Sequence, residues 1–252
     1  MRLKLLAMAA TAVLATVVTP GIAQANHSWG GYHWARTANP FMLQLGDNVD
    51  SKWDSYLATT SSDWSKSTVL DTSIVAGATK PRTCKATAGR GEVCNATYGN
   101  NGWLGIASIS VTGGTHITQG TVKLNDTYFN TATYNTPAWR NLVMCQEVGH
   151  IFGLDHQDEN FDNPNLGTCM DYTSDPSTNQ HPNLHDYDQL EAIYSHLDST
   201  TTVGTTSPNR PQVGNDPASW GVPVEGSRAS GHSTYVRDFG GGQSVITFVT
   251  WA

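Results

Sequence analysis

Positive charge is scarce in this chain. Only 14 of its 252 residues are Lys or Arg, against 21 Asp or Glu, which sets the net charge at −7. Nucleic acid and anionic lipid surfaces are recognised through clusters of Lys and Arg, so neither is an expected partner. Long apolar runs are missing too, except at the N-terminus, and no later segment reaches the roughly 18–20 apolar residues of a membrane-spanning helix. No internal repeat is found. Cysteine is limited to Cys84, Cys94, Cys145 and Cys169.

The one apolar run has a specific form. Met1-Arg2-Leu3-Lys4 is basic, residues 5–18 are apolar, and Pro20-Gly21-Ile22-Ala23-Gln24-Ala25 ends in a small-x-small exit. This pattern predicts a secretory signal peptide, residues 1–25, cleaved after Ala25. A membrane anchor is disfavoured because the run is short and Pro20-Gly21 breaks it. Loss of Arg2 and Lys4 leaves 12 basic against 21 acidic residues, a net charge of −9. The 227 residues that remain suit one domain plus an appendage, secreted and expected to be a monomer. In an oxidising compartment four cysteines suggest two disulfides, with three pairings open. Cys84–Cys94 would close a local loop. Cys145–Cys169 would tie the residue before Gln146-Glu147 to the residue before Met170.

Hydrophobic spacing predicts a strand at 41–46, an amphipathic helix over 49–65 carrying Val49, Trp53, Tyr56, Leu57 and Trp64, and strands at 69–75, 103–111 and 120–125. Residues 80–101 read as loop. Thr136-Pro137 opens a helix, a hydroxyl cap followed by proline at the first helical position. That helix should run to near Gly153, with loop over 155–177 and a further helix over 185–194. Residues 199–231 are rich in Thr, Ser, Pro and Gly and read as a linker or wrapping arm. Residues 235–251, turning at Gly240-Gly241-Gly242, read as a terminal β-hairpin. The order gives an α+β class, with a domain over 26–198 and an arm over 199–252.

Within the predicted helix and the turn after it, Gln146-Glu147-Val148-Gly149-His150-Ile151-Phe152-Gly153-Leu154-Asp155-His156 matches H-E-x-x-H-x-x-G-x-x-H at every fixed position but the first. Residues four apart share a helix face, so Gln146 and His150 can converge on one point. Gly153 permits a left-handed turn that swings His156 back to them. Three ligands and an open position suit a hydrolytic zinc, with Glu147 as the base beside it.

With Cys169-Met170-Asp171-Tyr172 following, the chain resembles the metzincin metallopeptidases, in particular the matrixin-like and astacin-like clans. The resemblance implies a metzincin-like zincin domain: a twisted, mostly parallel sheet followed by an active-site helix and a methionine turn. It implies Zn2+ as cofactor, a protein or peptide as substrate, and peptide-bond hydrolysis with Glu147 as general base. Met170 would underlie the zinc site, Tyr172 would be a fifth ligand or an oxyanion donor, and an edge strand near 106–110 would hold extended substrate.

Gln146 leaves three arrangements open. Gln146, His150 and His156 all bind zinc, the amide oxygen serving as a neutral, harder ligand than imidazole. Alternatively the two histidines recruit Asp155, Tyr172, His181 or His185, or the site is empty and the domain is an inactive protein-binding module. A zinc hydrolase acting on another bond type is a further reading. Elsewhere, His181 and His185 read as surface or capping histidines more readily than as supports of the site. The oxygen-rich run 157–163 could hold calcium, but it lacks twelve-residue loop spacing and reads as a solvated loop. No cysteine-switch segment is evident, so latency is either absent or a property of the C-terminal arm.

Overall fold

The computed structural model describes residues 27–206 and 210–252; the expected signal peptide lies outside the described residues. Nine strands form one mixed sheet: β1 His33–Trp34, β2 Phe41–Asn48, β3 Leu70–Ala76, β4 Gly91–Ala96, β5 Trp103–Thr112, β6 His116–Asn125, β7 Val222–Ser227, β8 His232–Gly240 and β9 Gln243–Trp251. Among the described residues four α-helices accompany them: α1 Asp54–Trp64, α2 Asp126–Phe129, α3 Pro137–His150 and α4 Leu184–Ile193. Among the described residues, no helix is long and apolar enough to cross a membrane.

The sheet order is β3-β2-β4-β6-β5-β9-β8-β7, with β1 pairing to β6. Its first half is parallel, through β3, β2, β4 and β6. Its second half, from β6 to β7, is antiparallel. The class is therefore α+β, with a sheet divided between the two modes.

Alternation along the strands sorts two cores, because successive side chains point to opposite faces. Leu43, Leu45, Val93, Ala107, Val122, Ile246 and Phe248 join Trp64 of α1 and Val143, Met144 and Val148 of α3 in the larger core. Trp103, Ile106, Trp220, Val249 and Trp251 form a smaller one. Helix α3 starts where its cap predicts: the Thr136 hydroxyl accepts from Trp139 N at 3.2 Å, with Pro137 in the first turn.

Three expectations are corrected. The stretch 80–101 is not all loop, because it holds β4. That strand escapes a hydrophobic pattern because its buried positions include Glu92 and Asn95. Glu92 is paired with Arg90 at 2.6 Å and Asn48 at 2.6 Å, and Asn95 with Asp126. The stretch 199–231 is not only a linker, because β7 lies in it and pairs with β8. Finally, β5 is not an edge strand: β9 pairs along its length, with Ala107 opposite Phe248 and Gly105 opposite Thr250. The backbone groups that would have been open to an extended peptide are taken by the chain itself.

Both local and long-range cysteine pairs are bonded, Cys84 to Cys94 and Cys145 to Cys169. The second joins α3 to the segment carrying Met170.

Candidate metal and catalytic site

Helix α3 delivers Gln146, Glu147 and His150 to one face, all fully buried or nearly so. The helix ends at His150, and Gly153 at φ +95° turns the chain back. Tyr32 O sits where a side chain at Gly153 would be, so glycine is required by the close approach as well as by the backbone angle. The N-terminal segment then clasps the returning loop. Asp155 N donates to His27 O at 2.7 Å, and Ser28 bridges to Leu154. His156 thereby arrives beside His150, ring centroids 4.5 Å apart and nearly perpendicular.

The orientation of the His150 ring is fixed by its other nitrogen, whereas His156 Nδ1 meets only charged neighbours. His150 Nδ1 lies 2.9 Å from Leu154 O, which makes it the protonated nitrogen and leaves Nε2 with a free lone pair. Burial holds His150 down at about 3, so it is neutral. His156 Nδ1 lies 3.4 Å from both Asp155 and Glu159. Burial opposes its protonation, but those two carboxylates outweigh burial and raise it to about 9. Glu159 also faces His232 Nε2 at 3.2 Å.

Glu147 is the base candidate, and burial pushes it up to about 8. Thr250 of β9 places its hydroxyl 2.7 Å from Glu147 Oε1 and 3.0 Å from Gln146 Oε1. A hydroxyl has one proton, so it cannot donate to both. A protonated Glu147 donating to Thr250, which in turn donates to the Gln146 amide oxygen, accounts for both contacts of the hydroxyl.

Gln146 Nε2, Glu147 Oε2, His150 Nε2 and His156 Nε2 are buried without a hydrogen-bond partner among the described residues. Buried polar atoms are rarely left so, and convergence on a bound ion is one of the few arrangements that would satisfy them. Two imidazole nitrogens, an amide oxygen and a neighbouring carboxylate fit zinc better than calcium or magnesium, which take all-oxygen shells. Met170 is fully buried against α3, its Sδ so close to Gly149 that an added Cβ there would lie 2.6 Å away. Tyr172 packs on His156 at 4.1 Å, and burial keeps its phenol protonated.

Of the other donors weighed from sequence, Asp155 stands next to His156, whereas His181 pairs with Asp63 at 2.6 Å. His185 stacks on His27 at 4.9 Å. Residues 157–163 give Glu159 to the two histidines named above, and Asp158 accepts from Asn160 N, so part of the oxygen run is already engaged.

Sequence reasoning missed the third wall. Phe248 of β9 lies flat on His150, centroids 4.3 Å apart and planes parallel to within 1°. His232 of β8 stacks on Tyr172 at 4.7 Å. The alternation of Ile246, Phe248 and Thr250 showed that they share a face, but nothing local told which element that face would meet. Beside the covered centre a cavity of about 430 Å³ remains, lined by Trp139, Leu142, Gln146, Tyr172, Thr250 and Trp251 among others.

No family model and no curated protein matches this chain. Among solved structures it is similar to high choriolytic enzyme 1, a hatching-enzyme zinc protease from the medaka fish Oryzias latipes. The two share 10% identity and a TM-score of 0.36, over 68% of this chain and 99% of that one.

Proposed function

We propose that this protein is a secreted zinc-dependent endopeptidase of metzincin type, held in a covered form by its own C-terminal strand. The observation that carries the reading is the pair of buried imidazoles whose Nε2 atoms lack partners beside a buried carboxylate. Gln146 Oε1, His150 Nε2 and His156 Nε2 would hold the ion, with His156 giving up its Nε2 proton on binding. Zinc, when bound, supplies a Lewis acid and a water that ionises near neutral pH. A cation bound beside Glu147 would favour its carboxylate form, and Glu147 Oε2, the oxygen not engaged by Thr250, would then accept a proton from the attacking water and return it to the leaving amine. Tyr172, a neutral phenol against His156, would donate to the oxygen of the scissile carbonyl.

Residues 26–198 would form the catalytic unit and 199–252 the cover. A peptide laid antiparallel on β5 would take the place that β9 holds, so substrate entry requires β9 to lift. The cavity walls, with Trp139, Leu142 and Trp251, suit a large apolar side chain.

The inactive binding-module reading draws on one observation, the engagement of Gln146 and Glu147 by Thr250. Metal analysis of the mature protein, joined to a peptide-library assay of the parent and Glu147→Ala, separates the two. Bound zinc with hydrolysis lost by about 10²- to 10⁴-fold in the variant supports the enzyme. Equal rates in parent and variant, or a metal-free parent after zinc loading, would overturn it.

A further inference from the structure

A second group of metal-binding side chains lies outside the centre formed by α3 and His156. His33 of β1 stands opposite His116 of β6 in the parallel register, and the segment after α4 brings His196 and Asp198 against both. The ligand atoms of His33, His196 and Asp198 all lie within 4.8 Å of one another.

Distances distinguish this from a casual surface cluster. Two ligands of a tetrahedral zinc, each about 2.0–2.1 Å from the ion, must stand roughly 3.3–3.4 Å apart. Here the His33 and His196 Nε2 atoms are 3.2 Å apart, and Asp198 Oδ1 is 3.5 Å from the first and 3.8 Å from the second. His33 Nδ1 is 2.8 Å from Gly31 O, which leaves the lone pair on Nε2, facing the other two. His33 is only 6% exposed, and burial holds its pKa below the ordinary value. It is therefore a neutral donor fixed in place. Asp198 is oriented from behind: Arg36 holds Oδ2 at 3.0 Å, leaving Oδ1 toward the histidines. His116 Nε2 braces that same Oδ1 at 3.2 Å.

We infer that His33, His196 and Asp198 form a second divalent-cation site, of the zinc class, with His116 supporting the carboxylate. An ion there would fasten three distant parts of the chain: the N-terminal strand β1, the start of β6, and the segment leaving α4. Its role is structural, because none of these residues touches the candidate catalytic group.

The test uses the full mature chain, stripped with chelator and reloaded against micromolar zinc, then assayed for zinc per chain. His196→Gln is the variant of choice, since the His196 side chain is half exposed and its loss leaves the core intact. The parent should hold one zinc more than His196→Gln, and zinc should raise the parent's melting temperature by more than the variant's. Cobalt loading should show tetrahedral visible absorption that falls in the variant. Equal zinc counts in the two proteins would overturn the site, whether or not the catalytic centre is filled. His150→Ala reports separately: zinc lost there but not in His196→Gln belongs to the catalytic centre alone.

Discussion

Gln146 decides how firmly the candidate catalytic ion is held. Its amide oxygen is neutral and already accepts from Thr250, so it has one lone pair left for a metal. Imidazole at this position would be a better donor to zinc, and the geometry of the helix places it on the same face as His150. Gln146→His should retain zinc against a chelator at concentrations that strip the parent. Competition with a zinc-sensitive dye reads the difference directly, and an unchanged or weaker affinity would show that residue 146 faces the ion only by position in the motif. If the variant gains hydrolysis where the parent has none, the natural chain belongs to the binding-module reading.

At the scale of elements, β9 acts as both wall and cover. Phe248 is buried against the His150 ring, so Phe248→Ala removes core packing as well as the lid. Large-to-small changes of this kind cost about 3–5 kcal/mol. The variant should melt at a lower temperature yet cleave peptides faster per bound zinc, because β9 lifts more readily. A drop in activity parallel to the drop in stability would count against the covered form.

The same element shows what could be read in advance and what could not. Helix α3 was legible because its cap, its spacing and its stop are all local: Thr136-Pro137, Gln146 to His150, and Gly153. His156 was legible for the same reason, one turn beyond. Strand β9 was visible as a hairpin arm through its glycine turn. Its pairing with β5 was not, since Ser108 and Thr247 meet across 139 residues of sequence. Strand β4 stayed hidden because Glu92 and Asn95 are buried by virtue of specific partners rather than by apolarity. Glu159 looked like a solvated acid in an oxygen-rich run, and only the return of β8 supplied His232 as its second partner.

For the molecule as a whole, one costly burial outside the two candidate metal sites is a cation in an otherwise acidic protein. Lys123 on β6 is 2% exposed, and its Nζ donates to Asn215 at 2.7 Å; among the described residues no carboxylate pairs with it. Burial pulls its pKa from 10.5 down to about 8. The unfolded chain keeps this proton to about pH 10.5 while the folded one releases it near 8, so this residue's contribution to stability rises with pH across that window. At neutral pH the buried ammonium is a net cost, on the order of 3 kcal/mol by the size of the shift. Lys123→Met should therefore unfold at higher urea at pH 7, and its advantage over the parent should shrink between pH 8 and 10.5. A gap of constant size across that range would show that the ammonium is solvated.

The seating of β9 on β5 also orders events in time. During synthesis β5 and its neighbours emerge well before residue 251, and until then one flank of β5 carries a row of unpaired amides and carbonyls next to Ile106, Ala107 and Ile109. An open, apolar strand flank is a template for joining another chain. The nascent polypeptide thus has reason to stay unfolded, or in the keeping of a chaperone, until its last strand is available, and a chain stalled short of that point should be prone to clump rather than to fold.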